Sequence, residues 1–120
     1  MLAFAAGVRF YGFPWMDFHH DEISALLRTR FDSFADLIDQ GVRVDGHPGF
    51  VQWFLWAWTG AFGYHPGVVK LPFILSGIAT VWLLYGVGKA LFSGRVGWLA
   101  ASFMAVLQYG VIFSQWARPY

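Results

Sequence analysis

Residues 71–88 read LPFILSGIATVWLLYGVG, eighteen positions without a charge between Lys70 and Lys89. A helix needs about 20 mostly apolar residues to cross a hydrocarbon core, and this run with its flanks is that long. A second uncharged run occupies 96–117, and Ser93-Gly94-Arg95 stands between the two as a tight polar turn. The pair predicts an antiparallel hairpin of membrane helices over 68–92 and 96–117. Lys89 and Arg95 meet at that turn, and excess Lys and Arg mark the cytoplasmic side. The segment that precedes Lys70 is therefore expected on the extracytoplasmic face.

Composition points the same way. The chain is 58% hydrophobic and 21% aromatic, and only 12% of it is charged, against roughly 25% in an average soluble domain. Its 120 residues leave room for one domain at most. A net charge of +1, with no basic run, gives no footprint for nucleic acid. Cysteine is absent, which excludes disulfides, a thiolate nucleophile and a Cys-based zinc site. Residues 1–8 lack the basic start and cleavage site of a signal peptide. The reading is an all-α, polytopic integral membrane protein of an inner or plasma membrane.

Outward from the hairpin the pattern changes. Residues 1–16 are apolar except for Arg9 and predict the last part of a first membrane helix, with Arg9 snorkelling toward headgroups. Both ends of the chain read as those of a fragment of a longer protein. All acidic residues lie between Asp17 and Asp45, whereas 46–120 carries four charges, all basic. Residues 17–67 thus form the first extracytoplasmic loop. Within it, Ile23, Leu27, Phe31, Phe34 and Ile38 recur at steps of three or four and predict an amphipathic helix over 22–38. Asp21 is its expected N-cap and Gly41 its close. Residues 49–62 are apolar and rich in tryptophan but too short to span, which predicts a re-entrant or interfacial helix. His-Pro-Gly stands at both of its borders, as His47-Pro48-Gly49 and His65-Pro66-Gly67. If 49–62 does not cross, Asp21 and Arg118 emerge on one side of the membrane.

The candidate chemistry sits on that side. Asp21 and Glu22 are adjacent carboxylates at a water–membrane boundary, where a carboxylate can take a proton from an attacking hydroxyl or amine. The plainer reading of both is a helix cap and a first-turn acid favoured by the helix dipole. Consecutive His19-His20-Asp21-Glu22 side chains diverge, so no metal cluster is expected there. One hard divalent cation held by Asp21 and a substrate phosphate stays open; no other cofactor is expected. Pro48 holds His47 in an extended backbone at the polar surface. Arg118 stands at the extracytoplasmic end of the last helix, against the positive-inside trend, and a guanidinium grips two phosphate oxygens at once. Lys70 is a weaker candidate of the same kind. Phosphate-binding glycine loops, G-x-S-x-G and H-E-x-x-H are absent.

Taken in order, several motifs resemble the N-terminal part of the polytopic GT-C glycosyltransferases. They are Asp21-Glu22, His47-Pro48, Lys70-Leu71-Pro72 with Ser76-Gly77, Leu84-Tyr85, and Ala117-Arg118-Pro119-Tyr120. The most similar branch contains protein O-mannosyltransferases and bacterial lipid A aminoarabinose transferases. That likeness implies a catalytic aspartate at Asp21, with Glu22 beside it, and substrate contacts from His47, Lys70, Arg118 and Tyr120. It implies a polyprenyl-phosphate-linked sugar as donor, a protein, lipid or glycan as acceptor, and membrane lipids as surroundings. The family usually has His-Pro-Pro where His47-Pro48-Gly49 stands, and prefers Arg at the place of Lys70. The rival expectation is a non-enzymatic small membrane subunit or transporter fragment.

Overall fold

The computed structural model describes residues 1–15, 17–44 and 49–117. Every regular element among them is helical. The helices are α1 (Leu2–Phe10), α2 (His20–Leu27), α3 (Phe34–Asp36), α4 (Gly49–Phe62), α5 (Pro66–Leu91), α6 (Gly94–Val106) and α7 (Gln108–Ser114). A 3-10 turn at Phe13–Trp15 and a π turn at Leu37–Val42 complete the set. The chain divides into two compact units, one of Met1–Trp15 with Lys70–Trp116, the other of Met16–Val69 with Ala117–Tyr120.

In the first unit, Ala5, Val81, Ala101 and Ala105 form a buried core. Small residues let α5 and α6 touch backbone to backbone. A Cβ added at Gly97 would stand 2.6 Å from the Tyr85 carbonyl, and one at Gly88 would stand 2.8 Å from the Gly97 Cα. Ser93 caps α6, its hydroxyl accepting from the Val96 N–H at 3.3 Å. Among the described residues, only α5 is by itself long and apolar enough to cross a membrane; α6 and α7 together would make one more, bent by 60°.

That bend corrects the uninterrupted helix expected over 96–117. Neither Gly nor Pro stands at the break; Leu107 is extended there (φ −59°, ψ 116°). The cause lies on α1. Arg9 is wholly buried, and its guanidinium donates to the carbonyls of Ala5 (3.3 Å), Ala105 (3.2 Å) and Met104 (3.2 Å). The last carbonyls of a helix lack backbone partners and carry the negative end of its dipole. A side chain inserted at that point sustains a kink. Arg9 therefore does not snorkel but stoppers the end of α6, while Gln115 Nε2 donates to its carbonyl at 3.0 Å. The helix of 1–16 also ends early, at Phe10, before Gly12 turns to positive φ (75°).

In the second unit the helix expected over 22–38 is broken. Thr29 folds its hydroxyl back onto the Leu26 carbonyl at 2.8 Å, and α2 stops. Ser33 then opens α3, accepting from the Asp36 N–H at 3.1 Å while its hydroxyl donates to the Asp36 carboxylate at 2.6 Å. Local side-chain bonds of this kind compete with a continuing helix, and here they outweigh the apolar period. Gly41 does not close a helix. It lies inside the π turn, where a Cβ would come within 2.5 Å of the Arg28 carbonyl.

Two tryptophans of α4 satisfy orphaned carbonyls. Trp56 Nε1 donates to Phe31 O (2.9 Å), inside the break between α2 and α3. Trp58 Nε1 donates to Val68 O (2.8 Å), the carbonyl whose helical donor would have been residue 72. Pro72 has no N–H to give.

Candidate active site

The first turn of α2 presents two carboxylates with opposite surroundings. Asp21 is exposed, whereas Glu22 is wholly buried. The N-cap is His19, two residues earlier than the expected Asp21. Its backbone N–H donates to Glu22 Oε2 at 2.8 Å, the reciprocal half of a capping box. The other carboxylate oxygen, Oε1, accepts from the Ala117 N–H at 2.7 Å. Ala117 is itself buried, so Glu22 fastens a point 95 residues away to the turn that carries Asp21. Charge-assisted bonds from backbone amides to a carboxylate are among the stronger hydrogen bonds.

Of the residues singled out from sequence, these two are brought together with the residue preceding Arg118. Lys70 is buried and belongs to the first unit. His47, Arg118 and Tyr120 lie outside the described residues. Among the described residues no three His, Asp or Glu side chains converge as a metal site. The Ala117 amide could not have been singled out from sequence, because a backbone donor has no residue-type signature.

Residues 46–118, more than half of the chain, match the family model described as dolichyl-phosphate-mannose-protein mannosyltransferase. The chain belongs to this family. Neither a curated protein nor a solved structure matches it. The mannosyltransferase match takes in α4 to α7 with His47, Lys70 and Arg118, and stops short of Tyr120. Asp21 and Glu22 precede it. Family membership points to glycosyltransferase chemistry, and the apolar α5 fits the family's membrane setting.

Proposed function

We propose that this chain is part of a membrane glycosyltransferase that moves a sugar from a polyprenyl-phosphate donor to an acceptor hydroxyl or amine. Asp21 takes the acceptor proton as the acceptor atom attacks the anomeric carbon. The bond from that carbon to the phosphate oxygen breaks, the electron pair leaves with the phosphate, and configuration inverts. Arg118 holds the departing phosphate through two parallel N–H donors. Glu22, buried with an amide on each oxygen, is a positioning residue rather than a substrate contact. The bond between Glu22 and Ala117 carries this reading. It ties the residue preceding Arg118 to the turn that bears the exposed Asp21.

The membrane arrangement follows from the same residues. Leu75, Trp82, Leu83, Val87 and Leu91 leave α5 apolar on its exposed side, which suits lipid. Phe50, Trp53 and Phe62 do so on α4, which supports its lying at the interface. With Lys89 and Arg95 cytoplasmic, Asp21 and Arg118 are extracytoplasmic. Single cysteines introduced into this cysteine-free chain, labelled with an impermeant reagent, report the sides. Labelling at 118 only after permeabilisation would refute the two-crossing arrangement.

The chemical test is Asp21→Asn in the intact enzyme. Shape is kept and the base removed, so turnover should fall by roughly 10² to 10⁴ with donor affinity retained. Transfer at the wild-type rate would reduce Asp21 to a first-turn acid and leave a non-catalytic membrane subunit as the better reading.

A further inference from the structure

The second unit holds a cavity of about 620 Å³ where the chain leaves α2 and passes α4, lined in part by Arg30, Asp32, Trp56, Gly60 and Tyr64. Its volume lies within the roughly 300–1,000 Å³ of small-molecule sites. Asp21 is not among its walls; it stands at the opposite end of α2, roughly 12 Å away for eight residues of helix.

Three of the lining side chains, Trp56, Arg30 and Tyr64, make contacts that orient them. The Trp56 indole is anchored by its bond to Phe31 O at 2.9 Å and packs on the Phe34 ring, with centroids 6.0 Å apart. The Arg30 guanidinium lies over the Tyr64 ring, 5.1 Å from its centroid, a cation–π placement. Gly60 is exposed, and a Cβ there would meet nothing within 4 Å. The cavity therefore combines three aromatic residues, Phe31, Trp56 and Tyr64, with one planar cation and one planar anion.

That combination has a specific chemistry. Arg30 and Asp32 cancel in formal charge, and the Asp32 carboxylate opposes a phosphate or another carboxylate. A carboxylate accepts from two neighbouring hydroxyls, and a guanidinium donates to two neighbouring oxygens in parallel. Aromatic rings take the opposite, C–H face of the same ligand. A six-membered sugar ring offers both surfaces, vicinal hydroxyls at its edge and an apolar face. We infer that this cavity is a binding site for a neutral hexopyranose ring, separate from the reacting centre at Asp21. The choice of a sugar among polyols rests on the glycosyl-transfer reading; the cavity's own residues supply the recognition.

Gly60→Trp fills the space without removing a hydrogen bond, and Gly60→Ala adds one methyl group and leaves it open. The chain, in an amine-oxide detergent that offers neither sugar nor phosphate, is titrated with methyl hexopyranosides of the gluco, galacto and manno series. Binding is read by saturation-transfer NMR. Wild type and Gly60→Ala should bind at least one series, with transfer strongest to protons on the ring's apolar face, and Gly60→Trp should lose about tenfold or more in affinity. Equal binding by Gly60→Trp, no binding of any series, or a preference for methyl phosphate over the glycosides would each overturn the assignment. Asp21→Asn reads transfer and Gly60→Trp reads ring binding, so the two readings fail separately.

Discussion

Arg9 and Glu22 are both wholly buried, one in each unit, and each bonds to backbone groups of a distant segment. The cation sits against carbonyls where α6 ends; the anion sits against amides where α2 begins. Each is matched to the dipole end it faces. The difference lies in what each achieves. No acidic residue occurs in 1–15 or 70–116, so carbonyls replace a carboxylate as the partners of Arg9, which sustains a bend in a helix. Glu22 instead ties two distant pieces of chain together, beside an Asp21 that is exposed. Helix ends can thus solvate a buried charge, and a search for complementary charges in sequence passes over them.

The comparison breaks most readily at Arg9. Arg9→Met keeps a long apolar side chain but leaves the carbonyls of Ala5, Met104 and Ala105 without their donor. A loss of about 3–5 kcal/mol is expected, read by denaturation in detergent, with Arg9→Lys recovering part of it. A change within about 0.5 kcal/mol would place Arg9 among ordinary surface substitutions and end the comparison.

Glu22→Gln is the next largest. One oxygen still accepts, but an amide NH₂ then faces a backbone N–H, and about 1–3 kcal/mol should be lost. The label accessibility of a cysteine at 117 should rise with it; unchanged accessibility would detach Glu22 from any hold on that segment. Trp58→Phe keeps the ring and removes only the donor to Val68 O, so about 1 kcal/mol is expected. A larger loss would mean that the indole does more than serve the carbonyl Pro72 leaves open. Asp21→Asn should leave the unfolding midpoint nearly unmoved. A marked drop there would erase the contrast between the two adjacent carboxylates.

Much of the helical plan was legible. The uncharged run at 71–88 and the Ser93-Gly94-Arg95 turn stand in the structure as α5 and a Ser93-capped α6, because apolar length and a capping hydroxyl are written in residue types. The break after α2 was legible too, since Ser33 and Asp36 carry the spacing of a helix start. The recurrence of Ile23, Leu27 and Phe31 argues for a continuing helix, and the local cap at Ser33 outweighs it. The bend at Leu107 was not legible. Its cause is a side chain on another helix meeting backbone carbonyls, and neither leaves a mark in the sequence near 107. At the candidate site, the placement of Asp21 and Glu22 in a first turn could be read, but not the burial of Glu22. That burial depends on an amide 95 residues away.

Both distant bonds span nearly the same length of chain, 96 residues from Arg9 to Ala105 and 95 from Glu22 to Ala117. A ribosome adding about 5–20 residues per second needs about 5–20 s to cover that distance. Throughout that interval the guanidinium and the carboxylate exist while their far partners do not. Each must keep water or headgroups around it until residues 104–117 have been made. Neither α1 nor the start of α2 can settle into its final burial before then, so a stretch made later completes one made earlier.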